Sequence, residues 1–344
     1  MELCQLKQIQ EWPLRYKIPI SQSKILEWCM SWNWKVYISF SGGKDSTALL
    51  DLVCRVWKAS RDFHKDSELY IVFVDTGLEY PEIKQFVDYY AGYLIEKYEI
   101  KIVLEKLRPA MSFREVIAKY GYPVVSKNTS GKIYKLRHYN LSEKYRNYLL
   151  NGDERGDMGK VPEKWLTLLN APFEVSDGCC AVMKKAPLNK FANRSKRKAI
   201  IGTMADEGKD RQASYLEHGC NAYDTGKPQS RPLSLWTEQD VLEYIDTFNI
   251  PLASIYGKII LQSHDKGKSY RYTTGVDRTG CMFCMYGCHL EKEPNRFQRM
   301  QGTHPQLWNY CMKDWDEGGL GLNKVLDYIN VRYWGEQLEL VEGF

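Results

Sequence analysis

Long hydrophobic runs are missing from this 344-residue chain. Nothing in it approaches the roughly 18 consecutive apolar residues that a membrane-spanning helix needs, so no membrane partner is expected. The opening residues, MELCQLKQIQEWPLRYK, carry charges where a secretory signal needs an apolar stretch. A reducing, cytoplasmic setting is therefore expected. Cysteine is sparse too: ten residues in 344 are too few for a disulfide scaffold. Excess charge of one sign is also absent. The net charge of +5 falls short of the strongly basic balance that by itself marks a nucleic-acid binder. Internal repeats and low-complexity tracts are absent, which excludes fibrous and disordered classes. What remains is 44% hydrophobic and 26% charged, enough apolar mass for a globular core without staples.

Strand and helix patterns alternate through much of the chain. Val36, Tyr37, Ile38 and Phe40 form a β-prone run, then come Ser41-Gly42-Gly43-Lys44-Asp45-Ser46, then apolar residues at helical spacing from Thr47 to Trp57. A second strand is expected over 69–74, ending in Asp75-Thr76-Gly77. A helix is expected from Pro81 to about Tyr98, since proline suits a first helical turn. A third strand is placed at 100–104. Ser112 with Glu115 reads as a capping box for a helix to about Tyr120. Lys198 to Ile201 reads as another strand, and Thr237 with Asp240 opens a helix to about Phe248. Such alternation predicts an α/β fold with a doubly wound, mostly parallel sheet, and ligands bind such sheets beyond the carboxyl ends of their strands. The expected organisation is a helical lead over 1–30, an α/β nucleotide-binding domain over 31–254 with a polar insertion at about 126–170, and a cysteine-containing, helical C-terminal region over 255–344. Residues 255–280 read as a long irregular connection. Helices are expected over 305–314 and 322–334.

The segment from Ser41 to Ser46 carries the sharpest chemistry. Two glycines after a strand let the backbone turn tightly and approach a ligand. The helix that follows directs its positive end there, and Lys44 adds a full charge. Asp45 can hold a magnesium ion through its carboxylate. Ser46 can cap the helix or bond a phosphate oxygen. The Walker A spacing is absent.

These residues also carry a resemblance. SGGKDS resembles the PP-loop of the ATP pyrophosphatases, the adenine nucleotide alpha-hydrolase-like, Rossmann-like group. FVDTGLEYPEI (Phe73 to Ile83), CCAVMKKAPL (Cys179 to Leu188), IIGTMADEGKDR (Ile200 to Arg211), RPLSLWTEQDVLEYIDTFNIP (Arg231 to Pro251) and GCMFC (Gly280 to Cys284) resemble, in the same order, the phosphoadenylyl-sulfate (PAPS) reductase family within it. The resemblance implies an adenine nucleotide, ATP or PAPS. Ser39, Ser41, Gly42, Gly43, Lys44, Asp45 and Ser46 would grip its phosphates. Asp75, Thr76 and Gly77 would lie beside the adenosine, and Gly202 and Arg211 would close the other side. Met204 stands where the family usually has arginine, and Gly208 where it has serine, which bears on the phosphate pattern recognised.

The cysteines cluster. Cys281 and Cys284 form a Cys-x-x-Cys pair, and Cys179 and Cys180 are adjacent. On residue type alone, four such thiols suit zinc and iron–sulfur equally. The resemblance, here to the iron–sulfur branch of the family, implies a [4Fe–4S] cluster on Cys179, Cys180, Cys281 and Cys284, with zinc as the alternative. Met183 replaces an arginine of that branch. Cys288 is a fifth thiol, open as a ligand, a persulfide carrier or nucleophile, or a small core filler. The reductases of the family use a cysteine in a C-terminal Glu-Cys-Gly tail, whereas LELVEGF at 338–344 has none.

Two stretches are basic. Residues 184–198 carry seven basic residues and no acid, and residues 127–146 interleave Lys127, Lys132, Lys135, Arg137, Lys144 and Arg146 with tyrosines. Cations with interleaved aromatics can follow a nucleic-acid backbone and stack its bases, or can simply form a solvated face. The expected function is an enzyme splitting ATP into AMP and pyrophosphate to adenylate an acceptor, coupled to sulfur transfer. Lys44 and Asp45 would be catalytic with magnesium, Cys288 would handle sulfur, DNA or tRNA would be a possible acceptor, and a protein would donate sulfur or electrons. The alternatives are thiol-dependent reduction of PAPS or adenylyl sulfate to sulfite, and a nucleotide- or metal-binding regulator without turnover.

Overall fold

The computed structural model describes residues 2–156, 158–263 and 269–335. The tail at 338–344 lies outside the described residues. The described strands, in chain order, are β1 Val36–Ser39, β2 Leu69–Val74, β3 Ile102–Leu107, β4 Val124–Val125, β5 Lys198–Ile201, β6 Asn221–Ala222, β7 Gln229–Ser230, β8 Ile259–Ser263, β9 Ser269–Thr273 and β10 Met285–Tyr286. The chain divides into two compact units. The first is Met1–Asp75, Glu79–Arg108 and Pro187–Thr279. The second is Thr76–Leu78, Pro109–Ala186 and Gly280–Phe344.

The first unit holds a six-stranded sheet in the order β3-β2-β1-β5-β7-β6. Every pair is parallel except β6–β7 at one edge. The fold is therefore α/β with a mostly parallel sheet and N-terminal helices at Leu3–Gln10 and Leu14–Ser31. Strands laid down from β1 run outward to β3. The chain then returns to the opposite side of β1 with β5. That reversal makes a switch point between β1 and β5, where a crevice opens beyond the strand ends. β3 runs further than its apolar residues suggest. Its Glu105 and Lys106 pair opposite Val72 and Phe73, and charge of this kind is tolerated because β3 is an edge strand.

The helix Lys44–Ala59 is fixed to its neighbours by Asp51, which is wholly buried. Asp51 accepts hydrogen bonds from Tyr98 (2.6 Å), Tyr244 (2.8 Å), Arg55 (2.8 Å) and Lys97 (3.0 Å). Burial pushes this carboxyl up, but the Tyr98 and Arg55 hydrogen bonds outweigh it and hold it below the usual aspartate range. Two capping boxes form where the sequence places them, Ser112 with Glu115 and Thr237 with Asp240.

The second unit pairs β4 with β10 in parallel and is otherwise mainly helical. The polar stretch 126–170 folds into helices Lys127–His138 and Glu143–Asn151 and a 3-10 segment Glu163–Asn170. Among the described residues, no helix is long and apolar enough to cross a membrane. Two expectations fail. The helix expected over 322–334 ends at Tyr328, and the chain is irregular over 331–335. Residues 255–280 are not wholly irregular, because β8 and β9 pair as an antiparallel hairpin. Most of its side chains are exposed on both faces, so the one-sided alternation that announces a strand is missing.

Candidate functional site

The residues at the switch point build a rigid turn. Gly42 has φ +73°, and a Cβ there would meet Ile83 Cγ2 at 2.7 Å. Only glycine fits that position. A Cβ on Gly43 would come within 3.0 Å of Thr279 Oγ1. The turn's N–H groups donate to hydroxyls rather than to carbonyls: Ser41 to Ser46 Oγ (3.2 Å), Gly43 to Ser41 Oγ (3.3 Å) and Lys44 to Tyr256 (3.0 Å). An anion's oxygens can replace hydroxyls at such N–H groups, and the positive end of the helix favours them. Ser46 Oγ donates to Gly43 O at 2.9 Å, which ties the turn to the first helical residues.

Lys44 is buried within this unit. Its Nζ meets Glu238 Oε1 at 2.9 Å, the carbonyl of Asp277 at 3.0 Å and Asp45 Oδ1 at 3.7 Å. Burial disfavours its charge, yet Asp45 and Glu238 outweigh burial and raise its pKa. Asp45 is raised as well, first by burial and further by Glu207 and Glu238, with Lys44 opposing. Asp45 Oδ1 is buried and has no hydrogen-bond partner. Buried polar atoms are nearly always satisfied, so this oxygen is the loop's one open position. A hard cation bound by oxygen ligands fits it.

The other predicted nucleotide residues are divided. Ser39 ends β1 and pairs with Val72 and Ile201. Gly202 lies against the loop: a Cβ there would be 3.1 Å from Asp45 O and 3.2 Å from Ser46 Cα. Arg211 is ion-paired with Glu207, whose Oε2 also accepts from Met204 N at 2.8 Å. A cavity of about 270 Å³ lies between Glu207–Arg211 and Arg278. Asp75 pairs with Lys84 at 2.9 Å. Thr76 and Gly77 fall in the second unit.

Glu238, Tyr256, Asp277 and Thr279 escaped the sequence reading as loop contacts. Their signals were faint. Glu238 stands in the first turn of a capped helix, inside the Arg231 to Pro251 segment, and Tyr256 follows that segment in the chain.

In the second unit, chain turns gather the thiols. Cys284 N donates to Cys281 O at 3.1 Å, closing the tight turn expected for the Cys-x-x-Cys pair. Cys179 and Cys180 precede a π-helical turn, Ala181–Lys185. The Cys179 thiol is pushed far up by burial and then by its neighbours Cys180, Cys281 and Cys284. The four predicted ligands therefore stand within electrostatic reach of one another. Cys284 is raised by burial, with Arg296 and Lys184 opposing. Among the described residues, no three His, Cys, Asp or Glu side chains are drawn together tightly enough to hold a metal. The donor chemistry suits zinc or an iron–sulfur group. Metal binding would remove the proton that burial favours on Cys179 and Cys284.

Cys288 is 1% exposed, and its thiol donates to Met285 O at 3.0 Å. Burial pushes it up to about 12. A nucleophilic cysteine needs ionisation and access, and this setting offers neither. The next residue, His289, stands edge-on to Trp165 at 5.0 Å. Burial lowers its pKa, and so does Lys164.

In the basic stretch 184–198, Lys184 faces the thiols, Arg197 covers Tyr70 at 3.6 Å and Lys198 covers Trp32 at 4.6 Å, while Lys185, Lys190, Arg194 and Lys196 are exposed. Lys127, Lys135, Lys144 and Arg146 are also exposed, in the second unit, together with Tyr139, Tyr145 and Tyr148.

The six-stranded, mostly parallel sheet with a glycine turn at its switch point places this molecule among doubly wound α/β proteins. The chain belongs to the phosphoadenosine phosphosulfate reductase domain family, whose model matches residues 35–157 and 138–286. It is 31% identical over 294 residues to an uncharacterised protein of Methanocaldococcus jannaschii, covering 83% of this chain and 49% of that protein. The chain thus spans about half the length of that curated relative. Among solved structures, it is similar to a PAPS reductase from Candida auris in a phosphate complex, with TM-score 0.35 and 12% identity over 74% of this chain and 90% of that one. It is also similar to the U34-tRNA thiolase NcsA from Methanococcus maripaludis with its [4Fe–4S] cluster, with TM-score 0.32 and 15% identity over 69% of this chain and 66% of that one.

Proposed function

We propose that the chain is an ATP pyrophosphatase that adenylates an acceptor and couples this step to sulfur transfer. An acceptor oxygen attacks the α-phosphorus, the bond to the bridging oxygen breaks, and pyrophosphate leaves. The observation that carries this reading is Asp45 Oδ1, buried without a hydrogen-bond partner and 3.7 Å from the Lys44 ammonium. A lysine held by Glu238 and Asp277 needs no reorganisation to meet the charge developing on pyrophosphate. The turn's N–H groups hold the remaining phosphate oxygens, exchanging their hydroxyl partners for them. Asp45 would hold magnesium, which neutralises the same leaving group. PAPS and adenylyl sulfate have no pyrophosphate to release, and their reduction calls for no cation at this position.

The thiols Cys179, Cys180, Cys281 and Cys284 would hold a [4Fe–4S] cluster, or zinc in its place. When bound, the cluster supplies a centre that can take up and pass on sulfur. This chain's part would be to hold four thiols, Cys179 buried and the other three partly buried, with Lys184 near Cys179 and Cys284 and Arg296 near Cys284. The inaccessible Cys288 counts against a reductive attack on sulfate sulfur, and no step here uses it. The acceptor would be a nucleic acid held by the exposed cations of 127–146, and a separate protein would donate sulfur. Incubating anaerobically purified protein with ATP, magnesium and RNA or DNA should release pyrophosphate, and adding a sulfide donor should then release AMP as sulfur displaces it from the adenylated acceptor. Absence of pyrophosphate with every acceptor would remove this reading.

A further inference from the structure

The second unit contains a cavity of about 590 Å³ that neither the loop nor the thiols use. We propose that it receives an unstacked base of a single-stranded nucleic acid, whose phosphates follow the helices Lys127–His138 and Glu143–Asn151. This rests on the reading that the acceptor is a nucleic acid, and it names the form of the strand and the place of one of its bases.

The size is that of a small-molecule site. The walls have the composition that suits a base. Trp165 and the His289 imidazole meet edge to face at 79°, and Tyr328 supplies a third ring. Rings arranged so offer faces and edges to a flat heterocycle. Lys164 lies 4.4 Å from the Trp165 ring and puts one cation at the rim, where a phosphate would pass. Thr167 and Asn330 add hydrogen-bonding groups to the lining. His289 Nδ1 is buried without a hydrogen-bond partner. Such an atom calls for one, and a base edge carries both donors and acceptors.

The surroundings favour a strand over a free nucleotide. Trp165 sits on the 3-10 segment Glu163–Asn170, which packs against the helix Lys127–His138. That helix and the next carry the exposed Lys127, Lys135, Lys144 and Arg146, with the Tyr145 and Tyr148 rings parallel to within 19°. Twelve helical residues extend about 18 Å, further than one nucleotide reaches. Cations follow a backbone, and a concave aromatic pocket takes a base that has left its stack.

The test uses the full chain and short fluorescent strands of RNA and of DNA, each single-stranded or duplex, read by anisotropy over a salt series. His289→Ala and Asn330→Ala should weaken single-strand binding by about tenfold without changing its salt slope. Lys144→Ala should lower that slope by about one. Strands carrying a photoreactive uracil should cross-link to peptides containing Trp165 or His289. Circular dichroism checks that each variant folds. The proposal is overturned if both pocket variants bind within about twofold of wild type, if cross-links fall only on 127–151, if duplex binds as well as single strand, or if free AMP binds the cavity as tightly as a strand. Pyrophosphate release is measured alongside. Cross-links in the cavity without pyrophosphate release would leave this inference standing and remove the adenylation reading. Pyrophosphate release without strand binding would remove this inference alone.

Discussion

The glycine loop of the first unit and the thiol set of the second are built by opposite means. The loop is six contiguous residues, shaped by its own hydrogen bonds and held from outside at Lys44 by Tyr256, Asp277 and Glu238. Gly42 takes the φ no other residue takes cheaply, Ser46 closes onto Gly43, and Lys44 is already paired with Glu238. Its one open position is the Asp45 oxygen. The thiols come from segments about a hundred residues apart in the chain. Burial favours the protonated form of Cys179 and Cys284, so the chain gathers donors and leaves their final convergence to whatever binds them. A contiguous motif can be shaped by local backbone chemistry, whereas a discontinuous one depends on its ligand.

The strongest way to break this comparison is a pair of substitutions. Lys44→Ala should lower pyrophosphate release by about a hundredfold or more and leave bound iron or zinc unchanged. Cys284→Ser should strip the metal and its absorbance and leave pyrophosphate release within a small factor. If either variant abolished both readouts, the two sites would not be separable.

Asp51 tests the scaffold beneath the loop. Asp51→Asn leaves Arg55 and Lys97 without their carboxylate, and should cost about 3 kcal/mol in urea unfolding, the low end for a buried pair because both cations reach solvent. The folded pKa of Asp51 is depressed, so its stabilisation is complete above the unfolded value of about 3.9 and disappears as pH falls through the folded value. The gap between wild type and variant should therefore close in acid. A gap independent of pH would show that packing, not charge, anchors the helix.

Gly42→Ala should cost about 1–3 kcal/mol, from positive φ and the contact with Ile83, and weaken nucleotide binding. Unchanged nucleotide affinity in a folded variant would separate the turn from the ligand. The smallest effect is expected at Cys288. Cys288→Ser should leave pyrophosphate release unchanged and cost little stability, since serine can keep the bond to Met285 O. Loss of sulfur transfer in that variant alone would restore Cys288 as a sulfur carrier.

Much of the first unit was legible in the sequence because its signals are local. The strand over 69–74, the helix over 81–98 and the boxes at Ser112 and Thr237 form where pattern and capping put them. The helix after the loop begins at Lys44, not Thr47, because Gly43 takes the N-cap. What was illegible depends on distance. Glu238 and Tyr256 reach the loop from about two hundred residues away, and Asp51 reads as an ordinary helix acid until Tyr98 and Tyr244 close on it. The cavity beside His289 joins three separate segments, which spacing does not foretell.

The most direct measurement incubates the anaerobically purified chain in parallel with magnesium ATP plus nucleic acid, and with PAPS plus a dithiol. Pyrophosphate from the first reaction, with no sulfite from the second, is the predicted result. Sulfite from PAPS and no pyrophosphate from ATP would contradict it.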